Sequence, residues 1–79
     1  MVRDQIIEYI KLIFEEQGIT DIPELDGDLR LVGFNSRGFV NLIVKLEDCY
    51  DIEFDDDDLE LALYPTVDAI TKLVEGYIN

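Results

Sequence analysis

Residues 33–50 read GFNSRGFVNLIVKLEDCY, a pattern that predicts the end of a loop followed by an amphipathic helix. Its apolar residues recur at steps of three, one, three and four, which places them on one face of a helix. These residues are Phe39, Leu42, Ile43, Leu46 and Tyr50. Asn35 or Ser36 can cap this helix, because either side chain accepts a hydrogen bond from an unpaired backbone N–H. We therefore predict a helix over residues 36–50, in which Gly38 is a mild defect of roughly 1 kcal/mol relative to alanine.

Helical spacing also occurs on both sides of this stretch. The upstream apolar face comprises Ile6, Ile7, Ile10, Ile13 and Phe14, and the downstream one comprises Val67, Ile70, Leu73 or Val74, and Tyr77. The first pattern predicts a helix over residues 2–17 that ends at Gly18, and the second predicts a helix capped by Thr66. Asp55, Asp56, Asp57 and Asp58 suit the start of a short helix that reaches about residue 63 before Pro65 stops it.

Residues 19–35 form a long connection between the first two long helices. Its apolar residues are expected to anchor it to the core, and they are Ile22, Leu25, Leu29, Val32 and Phe34. Residues 28–32 are expected to form a short helical turn, while Ile52 and Phe54 point inward after the second helix. The chain is predicted to be all-α, a small four-helix bundle of three longer helices and one short helix, with one domain over residues 1–79.

The charge balance excludes several function classes. The 79 residues include 19 acidic and 6 basic side chains, for a net charge of −13. Such a domain repels phosphate, so neither nucleic acid nor an anionic membrane is an expected partner. At 48% hydrophobic residues, the chain is also too apolar for a disordered acidic tail. One cysteine forms no internal disulfide, and no leader pattern opens the chain, so we expect a cytoplasmic protein. We also expect a monomer, and a complete domain without linkers favours a discrete protein, with an excised domain as the alternative.

Ser36 is the residue on which chemistry is most expected. The chain has no histidine, so no base is available to turn Ser36 into a nucleophile, and no catalytic residue is predicted. At the start of a helix, however, a serine is well placed to carry a phosphate-linked group. The backbone N–H groups at that end stabilise an anionic ester.

The ordered set of motifs resembles the acyl and peptidyl carrier proteins. The family's Leu-Gly-x-Asp-Ser-Leu motif is matched by residues 32–37, which read VGFNSR. Further matches are Leu29, the Leu-x-x-x-Leu-Glu run at Leu42, Leu46 and Glu47, residues 51–54 (DIEF), and the Thr66-Val67 pair. The resemblance covers essentially the whole chain.

This resemblance implies a carrier that is not itself an enzyme. A phosphopantetheinyl transferase would move 4′-phosphopantetheine from coenzyme A to Ser36, with Asn35 and Gly33 as the neighbouring motif residues of the cofactor site. The thiol of the arm would then hold an acyl, aminoacyl or peptidyl group as a thioester. Loading and processing partners would be enzymes of the adenylating, acyltransferase or ketosynthase type, in fatty acid, polyketide or nonribosomal peptide biosynthesis.

The second helix carries the expected partner surface. Val40 and Val44 lie off the inner face, and we interpret them as a docking stripe, with additional core as the alternative. Arg37, Asn41, Glu47 and Asp48 would surround that stripe. Two positions depart from the family pattern, because Asn35 replaces an aspartate and Arg37 replaces a leucine or methionine; both bear on the choice of partner.

Three other interpretations complete the sequence-based picture. The aspartates at 55–58 fail the calcium-loop pattern, because the sixth and twelfth positions are Glu60 and Thr66, so no metal site is predicted. Cys49 is expected to be a buried or half-buried structural thiol. The alternative to a carrier is an unmodified helical interaction module with a carrier-like fold, and a calcium sensor is a second rival.

Overall fold

Three α-helices and one short 3-10 helix make up the fold. The computed structural model describes residues 2–54 and 59–78. Helix α1 spans Val2–Glu16, the 3-10 helix spans Leu29–Val32, α2 spans Ser36–Tyr50 and α3 spans Val67–Ile78. The described residues contain no strand. The all-α bundle is confirmed, and α2 has the bounds that its apolar spacing predicts.

Helix α1 packs against both α2 and α3, and the core lies between them. Every fully buried side chain among the described residues is hydrophobic. The helices contribute Ile6, Ile10, Ile13, Phe14, Phe39, Leu42, Ile43, Leu46, Val67, Ile70 and Val74 to this core. Burial of these periodic apolar faces drives the assembly, since each buried aliphatic or aromatic side chain contributes about 1.5–3 kcal/mol.

The connection between α1 and α2 is anchored as predicted. Leu29 and Phe34 are buried, whereas Ile22, Leu25 and Val32 are half-buried and pack against the core. The Leu29 N–H also donates to the Pro65 carbonyl at 2.7 Å, which ties this connection to the chain just before α3. The long loop is therefore held at the end of the bundle where α2 begins.

The ends of the helices follow their predicted caps. Helix α1 stops at Glu16, one residue before the predicted end, and Gly18 adopts a left-handed φ of +83°. The Thr66 hydroxyl accepts the Ala69 N–H at 3.1 Å, so Thr66 caps α3. At the end of α2, the left-handed residue is Asp51, with a φ of +55°, and its sequence gives no sign of this conformation.

The short helix predicted over residues 55–63 is not formed in the described part of that range. The aspartates at 55–58 lie outside the described residues. The N–H groups of Leu63 and Tyr64 donate to the carbonyls of Glu60 and Leu61 at 3.0 and 3.1 Å. Each bond joins residues three positions apart, and together the two bonds form a turn. Leu61 in this turn is buried, so the described part of the segment packs against the core without forming a helix.

Two side chains lie further outward than predicted. Cys49 is exposed, and it lies beyond Leu46, which is the last buried residue of α2. Interaction with the Cys49 side chain, together with burial, raises the pKa of the Tyr9 hydroxyl. Tyr77 is also largely exposed, yet its ring meets that of Phe54 edge-on, with centroids 4.8 Å apart. Val74, rather than half-buried Leu73, fills the inner position of α3.

Added salt is expected to raise the melting temperature. At about 0.01 M salt the Debye length is about 30 Å, comparable with the 34 Å long axis of the molecule. A net charge of −13 therefore repels itself across the whole fold. Screening worth about 1 kcal/mol would raise Tm by about 4–8 °C. Thermal melts in NaCl and in KCl at constant pH measure this effect, and a flat or falling Tm in both salts would contradict it.

Candidate functional site

A tight turn brings the chain into the start of α2. Gly33 ends the 3-10 helix in the left-handed region, with a φ of +94°, and its N–H donates to the Leu29 carbonyl. The Phe34 N–H donates to the same carbonyl at 3.0 Å. A residue with a side chain is strained at this φ, so Gly33 serves the site through its backbone.

Asn35 is the N-terminal cap of α2. The sequence allows either Asn35 or Ser36 in this role. Its side-chain Oδ1 accepts the Gly38 N–H at 2.9 Å, and its carbonyl accepts the Phe39 N–H at 2.9 Å. Ser36 is then the first residue of the helix, and it is exposed. The positive end of the helix lies beside it, where a negative charge is stabilised by about 0.3–1 kcal/mol.

Gly38 leaves room for a neighbouring side chain as well as lowering the helix propensity of α2. It is buried, and a Cβ added there would lie 3.0 Å from Cε1 of the Phe34 ring. That ring is itself buried, with its centroid 6.0 Å from the centroid of Phe14. The absence of a side chain at residue 38 lets Phe34 pack over the first turn of α2. The low helix propensity of Gly38 is therefore weighed against the packing of Phe34, a contact that the sequence pattern does not reveal.

Gly38→Ala is expected to destabilise the fold. Overpacking a filled site costs about 1–3 kcal/mol, against a gain in helix propensity of about 1 kcal/mol. In a Phe34→Leu background the ring is absent, so the same change should become neutral or stabilising. Urea unfolding of the four variants in a double-mutant cycle measures this coupling. Equal effects of Gly38→Ala in both backgrounds would contradict the packing argument.

An ion pair orders the loop that precedes the site. Asp28 caps the 3-10 helix and accepts the Arg30 N–H at 2.9 Å, the Arg30 Nε at 3.0 Å and a terminal guanidinium nitrogen at 2.7 Å. These bonds to Arg30 lower the pKa of Asp28. A carboxylate with a lowered pKa stabilises the folded loop above its unfolded pKa, and this contribution is lost as the pH falls through the lowered value.

The predicted partner surface is exposed. Val40 and Val44 have 60% and 53% of their surface accessible, so they are not additional core. Along α2, residues 37, 40, 41, 44 and 48 are spaced by three, one, three and four, which puts them on one side of the helix. Arg37 and Asp48 are exposed and Asn41 is half-buried.

Glu47 differs from the other members of the predicted surface. Its side chain is half-buried, and its Oε2 accepts the Phe54 N–H at 2.9 Å. Its backbone carbonyl also accepts the Ile52 N–H at 3.1 Å. Glu47 therefore joins α2 to the segment that follows it, a structural contact that the sequence pattern does not reveal.

A surface groove runs along α2 from Ser36; we call it the α2 groove. Its upper part, of about 300 Å³, is lined by Ser36, Phe39, Val40, Leu59, Glu60, Leu61 and Ala62. Its lower part, of about 230 Å³, is lined by Phe39, Val40, Ile43, Val44, Glu47 and Leu59. Residues 59–62 thus form the wall opposite α2, a role that the sequence analysis missed. The signal was the pair Leu59 and Leu61, which are apolar residues in an acidic segment.

Comparison with known proteins gives the family. A family model described as "Phosphopantetheine attachment site" matches residues 4–74. The chain belongs to the phosphopantetheine-binding carrier domains. Domains of this family carry covalently attached 4′-phosphopantetheine, interact with phosphopantetheinyl transferases and biosynthetic enzymes, and are not catalysts themselves. No curated protein and no solved structure matches the chain.

The first turn of α2 is compatible with an attached arm. Ser36 is exposed, and the nearby Gly38 N–H is satisfied by Asn35. It is also the only serine in the sequence. An arm joined to its hydroxyl would lie at the upper end of the α2 groove, which Ser36 lines.

Two further properties concern only the residues that the structure describes. Between residues 2 and 54 and between 59 and 78, no helix is long and apolar enough to cross a bilayer. The same ranges contain no group of three or more His, Cys, Asp or Glu side chains placed to hold a metal ion. The aspartates at 55–58, which the sequence analysis considered as calcium ligands, lie outside these ranges.

Proposed function

We propose that Ser36 is the attachment residue of this carrier domain. The single observation that carries the proposal is its placement: Ser36 is exposed at the first residue of α2, while Asn35 provides the cap. Its hydroxyl oxygen would form the bond to phosphorus as the nucleotide part of coenzyme A leaves. When bound, the arm supplies a thiol that holds cargo as a thioester.

The charges at this end of α2 favour a phosphodiester. The first N–H groups of a helix have no intrahelical acceptor and leave partial positive charge there. Arg37 adds a full positive charge one residue away, and the described residues offer it no ion-pair partner. The chain as a whole carries a net charge of −13. The local positive charge at this end of α2 therefore reduces the electrostatic repulsion that one more anion would meet there.

The exposed side of α2 is the proposed docking surface for partner enzymes. Val40 and Val44 would provide apolar contact, and Arg37, Asn41, Glu47 and Asp48 would surround them. Arg37 fits an acidic group on the partner beside the attachment point, whereas Asp48 fits a basic group at the other end. This order of charges would select and orient partners more than it would strengthen binding.

The proposal extends to the pathway. We infer that the domain is a cytoplasmic monomer that presents acyl, aminoacyl or peptidyl thioesters to enzymes of the adenylating, acyltransferase or ketosynthase type. Fatty acid, polyketide and nonribosomal peptide synthesis all use such carriers. The single cysteine supports the location, because the fold needs no disulfide and hence no oxidising compartment.

Intact-mass measurement tests the carrier role directly. The unmodified chain is incubated with coenzyme A and a broad-specificity phosphopantetheinyl transferase, and its mass is expected to rise by one phosphopantetheinyl group. A second carrier known to be modified by the same transferase serves as the positive control. If that control is modified and this chain is not, the proposal fails and the unmodified interaction module takes its place.

A further inference from the structure

Glu47 accepts hydrogen bonds through both its backbone carbonyl and its side chain at the end of α2. Its carboxylate accepts the Phe54 N–H at 2.9 Å, and its carbonyl accepts the N–H groups of Asp51 and Ile52. One residue therefore binds three of the next seven backbone N–H groups. The left-handed conformation of Asp51 turns the chain back so that these contacts form.

Phe54, which the Glu47 carboxylate holds, is buried in the core. Its ring lies edge-on to Tyr77 in α3, with centroids 4.8 Å apart. The contact at Phe54 thus joins the end of α2 to α3. A charged acceptor makes this hydrogen bond one of the stronger kinds, worth roughly twice a neutral one.

The same side chain borders the α2 groove. Glu47 lines its lower part across from Leu59, and residues 59–62 continue as the wall beside Ser36. That wall is held by the turn at Leu63 and Tyr64, whose N–H groups donate to the Glu60 and Leu61 carbonyls. Glu47 is therefore in contact with the groove and with the chain that leads to its far wall.

We propose that Glu47 is a positioning residue for the α2 groove. By holding the N–H of Phe54, the last described residue before the wall, its carboxylate sets the position of residues 59–62 opposite α2. Asp48, the next residue, is exposed, and the structure gives it no such bond. That the α2 groove matters for a phosphopantetheine arm rests on the proposed function. The contact between Glu47 and Phe54 is present in the unmodified chain and can be tested without the arm.

Amide hydrogen exchange on the unmodified chain tests this role. The variants are Glu47→Ala, which removes the acceptor, and Glu47→Gln, whose amide oxygen can still accept. Glu53→Ala is the matched control, because it removes an exposed acid next to Phe54. Phe54 reports on the contact, Leu63 and Tyr64 report on the wall, and amides within α1 report on global stability.

Exchange at Phe54, Leu63 and Tyr64 is expected to be about tenfold faster in Glu47→Ala, since loss of the bond favours local opening. Glu47→Gln should restore protection to within about threefold of the parent chain, and Glu53→Ala should change little. Amides of α1 should be unaffected in all three.

Three results would overturn the proposal. Faster exchange at Phe54 without any change at Leu63 and Tyr64 would mean that the contact does not position the wall. An equal effect in Glu53→Ala would mean that lost charge alone is responsible. Equal acceleration in α1 would mean a global loss of stability. Repeating the series in a Ser36→Ala chain, which cannot accept the arm there, keeps this outcome separate from that of the proposed function.

Discussion

Ser36→Ala is expected to abolish the uptake of phosphopantetheine altogether. No other serine exists in the sequence, so no neighbouring hydroxyl of the same kind can substitute. The fold should be unaffected, because Ser36 is exposed and the cap of α2 is supplied by Asn35. Intact mass after incubation with coenzyme A and the transferase measures the loss. Circular dichroism and a thermal melt measure the retained fold.

Thr20→Ala is the matched control for this loss. Thr20 is exposed in the connection between α1 and α2, and the change likewise removes one surface hydroxyl. It should be modified as fully as the parent chain. If the Ser36→Ala variant still gained a phosphopantetheinyl group, the attachment residue would have to be a residue other than Ser36. Loss of modification in both variants would show that the assay responds to something other than the attachment residue.

The start of α2, where the proposed attachment serine lies, could be predicted from the sequence because its signals are local. The glycine turn at Gly33, the cap at Asn35 and the apolar period of α2 each depend on residues within a few positions. The bounds of α2 and the turn at Leu29–Val32 were predicted for the same reason. What the sequence left open was whether Asn35 or Ser36 is the cap, and backbone geometry was needed to decide it.

The features that sequence reasoning missed depend on particular side-chain contacts, which apolar spacing and helix propensity do not encode. Propensity rates Gly38 as unfavourable, but the Phe34 ring from the preceding loop packs where a side chain would be. The acidic segment after α2 suggests a helix, yet residues 61–63 form a turn and residues 59–62 line one wall of the groove. Glu47 has the sequence signature of a surface acid, and only the folded chain places Phe54 N–H against it.

Val44→Asp is expected to reduce the kcat/KM of the transferase by about tenfold or more while the domain stays folded. A carboxylate in the middle of an apolar contact must lose water without gaining a partner, and about 1.4 kcal/mol corresponds to a factor of ten. Val44 is 53% exposed, so the change creates no cavity in the core. Its cost to the fold should stay near 0.5 kcal/mol, from repulsion with Asp48 four residues away.

Leu12→Asp is the matched control for this experiment, because it distinguishes the loss of a docking contact from the addition of a negative charge. Leu12 is 44% exposed on α1, and Asp at that position would lie four residues from both Glu8 and Glu16. It therefore adds the same charge with similar local repulsion, but it lines no part of the α2 groove. Transferase kinetics should be close to those of the parent chain. Equal losses in the two variants would attribute the effect to net charge, and unfolding of Val44→Asp would place Val44 in the core. A loss confined to Val44→Asp would support α2 as the surface that partner enzymes contact, because the two variants differ chiefly in which face carries the new carboxylate.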